Sequence, residues 1–467
     1  MSKKTLNHFT SRPKSIEERI ALGKAMRLTI PFAKLSEYKP AAKRPDPVAI
    51  LIEQGKTRLQ DLVPIRYARM LSSPFAFLRG AAAIMASDLA NSKTTGITVQ
   101  ACGDMHVANF GVFASAERKL TFGINDFDET LPGPWEWDLK RLVVSIVVAF
   151  KFLGANDKVA RNAVKAAVKS YRTHMAKYAG MGHLETWYST MTEDDIYEAL
   201  PASARKVLKK LSGKARERTN LQVVGKLTDF VDDKYRLKVN APFIVRETHS
   251  QTGRPIEEAL GLVLESYIKS LSDDRKALLM KYRIVDVVRK VVGVGSVGTR
   301  CWVIFLAGRQ GGDPLFLQVK EAQPSVLAKP VGKSVYASQG QRVVAGQRLI
   351  QGAPDIFLGW GELDGYQFYI RQLRDMKGGV EFDPTTVNFD NSIEYCKLCA
   401  WALALSHAKS GDAVMLSSYM GKSDGLDKAM VKFAFTYADQ NEKDYNALAA
   451  AAKSKRIKVA KPEQVTE

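Results

Sequence analysis

At 467 residues the chain is long enough for two or three lobes, and a hydrophobic share of 46% supplies a sizeable core. Four cysteines are too few for a disulfide scaffold, and no run of about 18 apolar residues is present to cross a membrane. A net charge of +20, from 69 basic against 49 acidic residues, favours an anionic ligand: a nucleotide, a phosphorylated substrate, nucleic acid or an anionic membrane surface. The charge is dispersed, densest over residues 204–218 and in the tail, with no zinc-finger or RNA-recognition signature beside it, so nucleic acid is the weaker expectation. The first residues lack the apolar segment of a signal peptide, and a cytoplasmic, reducing compartment is expected.

Residues 1 to about 45 are polar, basic and broken by prolines, with one short helix over 15–28 that Ser15 could open as a capping box. A helix is expected from Pro47, and residues 59–71 are apolar with spaced basic residues. Arg66, Arg69 and Arg79 admit two readings, a phosphate clamp or ion pairs with acidic loop residues. The Ala-rich span 74–89 predicts one buried helix, leading to a β-branched strand over 97–102.

Next come Gly103-Asp104, Asn109 five residues later, and a second strand over 119–124 that delivers Asn125-Asp126-Phe127-Asp128. Singly, such residues favour turns. Together, at strand ends, they are oxygen donors suited to Mg²⁺. Residues 139–153 are strongly apolar, and 157–178 form an amphipathic helix whose His174 a structural role explains. The span 180–280 reads as mixed, basic and mostly helical, with a strand candidate at 241–248 and a helix over 257–271.

From residue 282 the pattern turns to strands. Gly293, Gly295 and Gly298, with Ser296 among them, form a G-x-G-x-x-G between two β-branched runs. No helix follows at once, so the motif fits a hairpin whose backbone approaches phosphates rather than a dinucleotide-binding crossover. A third strand over 314–320 ends in Lys320, and the helix expected over 339–351 has no acidic residue. A strand over 366–373 has Arg371, Arg374, Asp375 and Lys377 at its end or just beyond. Cys396 and Cys399 lie in a helical pattern over 392–409 with no second pair, which predicts core packing. His407 and Asp412 end that helix, a further one covers 428–451, and the tail is expected to be disordered.

These motifs resemble the protein-kinase-like superfamily, above all its aminoglycoside and choline phosphotransferase branch. There a Gly-Asp with an Asn five residues on forms the catalytic loop, and a later Asp-Phe carries the metal-binding Asp. The resemblance implies that Asp104 orients or deprotonates an acceptor hydroxyl. It implies that Asn109 and Asp126, with Asp128, hold Mg²⁺ on the phosphates of ATP. Gly293, Gly295, Ser296 and Gly298 would cover those phosphates, Lys320 would grip them, and Asp138 would brace the catalytic loop from below. Four departures stand out. Cys102 replaces the usual His, and the loop from Asn109 to Asp126 is long. Arg300 stands where an apolar residue normally covers adenine. The usual Glu partner of Lys320 is missing, with Glu321 or Asp355 as candidates. Asp412 is the poorer catalytic residue, because no Asn follows it at the needed spacing.

The glycine motif follows the catalytic loop instead of preceding it, so the resemblance implies a circularly permuted, two-lobed α+β fold. A small antiparallel sheet lobe would sit on a larger helical lobe. Its expected divisions are a basic arm with helices (1–58), a helical catalytic lobe (59–280), a nucleotide-binding β-rich lobe (281–380) and closing helices with the tail (381–467). Six segments between about residues 59 and 438 also resemble a bacterial family defined only as a domain of unknown function. The function implied is an ATP- and Mg²⁺-dependent phosphotransferase with an unknown acceptor, for which the net charge favours an anion. Nucleotidylation stays open as the transfer chemistry. The alternatives are a nucleotide-binding pseudokinase and a basic protein of nucleic acid or membrane surfaces. Oligomeric state is not legible.

Overall fold

Four helices, Trp135–Phe152, Asp157–Ala179, Phe389–Ser410 and Gly425–Lys453, surround the largest core in this computed structural model. The described residues are 9–465, apart from 218–219, 232–233, 251, 292, 310–312, 374–377 and 381. The Trp135–Phe152 helix is buried along its whole length to Phe150, as an all-round apolar helix must be. Its few polar residues therefore need buried partners. Ser145 is one: its hydroxyl accepts from the Val107 amide at 3.0 Å.

The strands before the glycine motif are β1 (Thr98–Ala101), β2 (Phe110–Ala114), β3 (Leu120–Ile124), β4 (Leu131–Pro134), β5 (Thr228–Val231), β6 (Lys234–Leu237), β7 (Ile244–Val245) and β8 (Arg283–Lys290). After it come β9 (Cys301–Ala307), β10 (Pro314–Glu321), β11 (Gly359–Leu363), β12 (Tyr366–Gln372) and β13 (Gly378–Gly379). All pairings are antiparallel: β1 with β4, β13-β2-β3, β5 with β6, and a six-stranded sheet in the order β11-β12-β10-β9-β8-β7. The fold is α+β, helix-rich with small antiparallel sheets, as expected.

The two-residue period of a strand divides the six-stranded sheet into two faces. One face, with Trp302, Ile304, Leu317, Val319 and Ile370, forms a second core against the Ile256–Lys269 helix. The other carries Phe305 opposite Phe316, then Val303 opposite Gln318, then Cys301 opposite Lys320, with Tyr369 beyond Lys320. Its apolar end is covered by Val224, Leu227 and Leu237, and its other end, at Lys320 and Tyr369, meets Asp128.

Several expectations change. The helix at 256–269 and strand β7 pack with the sheet, so the division expected at 280/281 does not separate the two cores. The strand expected over 241–248 shortens to β7, and a β5–β6 hairpin stands in a span read as mostly helical. The helix expected over 74–89 is two, Pro74–Gly80 and Ala82–Leu89. At the break the Gly80 carbonyl accepts from buried Arg66 at 3.1 Å, and a Cβ on Gly80 would meet the Met70 sulfur at 2.8 Å. The tail is packed rather than disordered as far as it is described: Ile457 is buried with Val48, Leu51 and Leu448, and the Ala460 amide donates to the Pro64 carbonyl at 3.1 Å. Other expectations hold. Ser15 caps Ile16–Thr29 with a full capping box, and all four cysteines are buried free thiols. Among the described residues no helix is long and apolar enough to cross a membrane.

Candidate active site

Strand β1 delivers Cys102, Gly103 and Asp104 into a turn that only glycine can make at its centre. Gly103 has φ +81°, and a Cβ there would meet the Glu129 carbonyl at 2.7 Å. The turn is braced from below. Buried Asp138 accepts the Cys102 amide at 2.6 Å and the Gly103 amide at 2.9 Å. His407 stands 3.4 Å from the same carboxylate and 2.7 Å from the Tyr171 hydroxyl, which makes it a prop for Asp138. Asp412 lies elsewhere, capping the Ala413–Met420 helix.

Asp104 is held by Arg141, whose Nε and Nη2 reach one carboxylate oxygen at 2.8 and 2.5 Å; His106 Nε2 is 3.8 Å from the other. Burial pushes the Asp104 carboxyl up despite Arg141, and burial, then Arg79 and Arg141, push His106 well down. The Asn109 side-chain amide donates to the Asp104 carbonyl at 2.6 Å, and the Asn125 amide donates to the Asn109 carbonyl at 2.9 Å. The spacing of five thus closes one loop and ties it to the next.

That second loop holds Asp126, Asp128 and Glu129. Burial and the neighbouring Asp128 raise the Asp126 carboxyl. Asp128 accepts from Lys320 Nζ, from the Tyr369 hydroxyl at 2.7 Å and from the Ser296 hydroxyl at 3.2 Å. Burial would raise Asp128, but the Lys320 ammonium holds it below the carboxylate range. Burial would likewise lower Lys320, but Asp126 and Asp128 hold it well above the lysine range. Glu129 accepts the Val326 amide at 2.6 Å, and burial lifts its carboxyl to about 7.

The partner of Lys320 is thus Asp128, and neither Glu321 nor Asp355 takes that place. The pleat sends Glu321 to the opposite face, where it pairs with Arg300 at 3.0 Å. Asp355 accepts from the Gln372 backbone and side chain at 2.5 and 2.8 Å. Arg300 also reaches the Tyr366 hydroxyl at 3.1 Å. Arg371 bonds Gln318 and the Asn125 carbonyl, each at 3.2 Å, whereas Arg374, Asp375 and Lys377 lie outside the described residues.

The glycine-rich turn folds over this loop pair. A Cβ on Gly295 would stand 4.0 Å from an Asp104 oxygen and 3.3 Å from the Arg79 carbonyl. One cavity of about 110 Å³ is lined by Asp104, Asn109, Asp126 and Asp128 together with Gly293, Gly295 and Ser296. Gly298 stands outside it, taking the Leu59 amide at 2.8 Å, and Lys320 reaches it only through Asp128. An outer cleft of about 1450 Å³ shares Gln54, Arg58, Glu321 and Gln323 with the cavity.

The cavity's remaining wall is basic. Arg58, Arg66 and Arg79 line it, and none has an ion-pair partner among the described residues. Among the described residues neither Arg66 nor Arg79 makes the alternative ion pair with an acidic loop residue, and Arg69 donates to the Gly293 carbonyl at 2.7 Å. Sequence reasoning missed Arg58, His106, Glu129 and Arg141. His106 sits inside the Asp104–Asn109 spacing and was open to notice; nothing local marked Arg58 or Arg141 as cavity residues.

Asp126, Asp128 and the Asn109 amide are oxygen donors of the kind Mg²⁺ takes when phosphate oxygens complete its shell. No closed cluster of three His, Cys, Asp or Glu ligands exists among the described residues. The family model matching residues 58–451 is described as "Uncharacterized protein conserved in bacteria (DUF2252)". No curated protein and no solved structure matches the chain.

Proposed function

The chain belongs to that family of uncharacterised bacterial proteins, and from its cavity we propose that it is a kinase-like phosphotransferase using ATP and Mg²⁺. One observation carries the reading: the glycine-rich turn meets Asp104, Asp126 and Asp128 at one cavity, and Lys320, 192 residues from Asp128, pairs with that aspartate from behind. The sheet order supports it. The hairpin strands β8 and β9 and the lysine strand β10 are neighbours in the order β11-β12-β10-β9-β8-β7, which sets the glycine-rich turn beside the end of the lysine strand. A circular permutation fits the join at the other end, where the Gln100 amide of β1 donates to Ser410 Oγ at the end of the Phe389–Ser410 helix, at 3.1 Å.

In this reading an acceptor hydroxyl attacks the terminal phosphorus of ATP. The new O–P bond forms, the bridging P–O bond breaks, ADP leaves, and the hydroxyl proton passes to the Asp104 carboxylate. The raised carboxyl of Asp104 suits a base of that kind. Arg141 fixes its direction, while the glycine-rich backbone and Lys320 position the phosphates. Bound Mg²⁺ would neutralise charge developing on the transferred group.

A second reading, nucleotide binding without turnover, draws on Lys320 being taken up by Asp128 where a helix glutamate would be its usual partner. One experiment separates the two. MgATP should raise the melting temperature of the parent and of Asp104→Ala but not of Asp126→Ala, and only the parent should release ADP. MgATP stabilisation without ADP release selects the second reading. If both variants bind and turn over like the parent, or MgATP leaves the parent unchanged, the reading fails.

A further inference from the structure

Three arginines reach the cavity from three consecutive pieces of the N-terminal segment. Arg58 follows the Pro47–Gly55 helix, Arg66 lies in Val63–Met70, and Arg79 lies near the end of Pro74–Gly80. Arg66 is 1% exposed, and its Nη2 donates to the Gly80 carbonyl and the Gln54 side chain, each at 3.1 Å. Its Nε and Nη1 are buried with no hydrogen-bond partner, as are the Nε atoms of Arg58 and Arg79. Arg58 makes one bond with its Nη1, to the Val297 carbonyl at 2.5 Å.

We propose that Arg58, Arg66 and Arg79 form a binding subsite for a phosphate group on the basic wall of the cavity.

The chain does not supply what these side chains need. An unmet buried donor costs roughly 1–3 kcal/mol, and a buried unpaired cation costs more. Burial pushes all three guanidiniums below the usual arginine range, and for Arg66 the charge of Arg58 adds to it. An oxyanion answers both needs, because guanidinium forks match phosphate oxygens two at a time. Three guanidiniums converging on one cavity from different directions favour a tetrahedral group over a flat carboxylate. The phosphate has two possible sources, the terminal group of a nucleotide or a group already on the acceptor. Its role as a substrate group rests on the phosphotransferase reading; its binding does not.

The test uses the full chain, inorganic phosphate as the probe, and EDTA to remove divalent cations. Phosphate should raise the melting temperature of the parent. Arg79→Gln should bind it at least tenfold more weakly while melting no lower than the parent without ligand. Arg66→Met should also bind it at least tenfold more weakly, but should melt somewhat lower because it gives up its bonds to Gly80 and Gln54. A purely structural role predicts the reverse: lower ligand-free melting and an unchanged phosphate response. If Arg66→Met does not fold, Arg79→Gln, which is less buried, decides. No phosphate response in the parent, or a parent-like response in the folded variants, overturns the proposal. With Mg²⁺ restored, exclusion of phosphate by MgATP but not by MgADP assigns the subsite to the nucleotide's terminal phosphate. Phosphate binding unaffected by MgATP assigns it to the acceptor. A phosphate response with no MgATP response keeps the subsite and removes the phosphotransferase reading. The opposite pair of results removes the subsite alone.

Discussion

The two walls of the cavity are opposite in charge and opposite in how that charge is met. On the acidic wall Asp104 has Arg141, Asp128 has Lys320 and Tyr369, and Asp138 behind them has two backbone amides. On the basic wall Arg58, Arg66 and Arg79 have carbonyls, an amide oxygen and empty N–H directions. A charge paired inside the chain holds the structure together, and removing its partner is costly. A charge left bare at the edge of a cavity marks where something outside the chain can bind. The same residue types at similar depth therefore serve different ends.

Lys320→Met should break this comparison hardest. It leaves Asp126 and Asp128 side by side, enclosed, with no ammonium between them, and should cost roughly 3–5 kcal/mol at neutral pH by urea unfolding. The sign with pH follows from Asp128. Its carboxyl lies below the usual range in the parent, so its contribution is present at neutral pH and lost only as pH falls through that lowered value. The gap between parent and variant should narrow in acid. Adding Asp128→Asn to Lys320→Met should recover much of the loss. A single variant as stable as the parent would mean the pair does not hold the acidic wall.

How much of this was legible divides along the same line. Asp104, Asn109 and Asp126 were readable because a spacing of five and a strand-end Asp-Phe are local, and the loop they form is closed by local hydrogen bonds. Lys320 was readable as the end of a strand, but its partner was not. The nearby acid, Glu321, faces the other way, and the true partner is 192 residues distant. The arginines were visible as charges, yet sequence does not tell a buried guanidinium from a solvated one, so Arg58 passed unnoticed. The break at Gly80 and the order of the tail have the same origin. Both depend on contacts with Arg66, Met70, Pro64 and Val48, made by tertiary packing rather than by local propensity.

Asp138→Ala tests the brace beneath the acidic wall and should cost about 3 kcal/mol, again read by urea unfolding. Two amides, the buried one of Cys102 and the half-buried one of Gly103, lose their acceptor at once, and His407 loses its neighbour. The loss should appear without any ligand, unlike that of an arginine variant. His407→Gln, one step further from the turn, should cost less. Equal costs would move the brace from Asp138 to the His407–Tyr171 pair.

Glu129→Gln should have the smallest effect and sharpens the comparison most. Glu129 lines the acidic wall but has no ion-pair partner among the described residues; Arg58, Arg342, Asp104 and Asp128 are the charges that act on it. Burial sets its carboxyl at about 7, above the ordinary value of 4.5, so the folded state keeps a proton that the unfolded chain gives up. The parent should therefore lose stability as pH rises from 4.5 through 7, while Glu129→Gln, whose amide oxygen can still accept from Val326, should not. Unfolding curves should agree near pH ~4 and separate by roughly 1–2 kcal/mol near pH ~8, after allowance for solvent screening. Parallel curves would mean that Glu129 is already ionised against Arg58. The basic wall would then have a carboxylate of its own, and its bare N–H groups would no longer single out a phosphate.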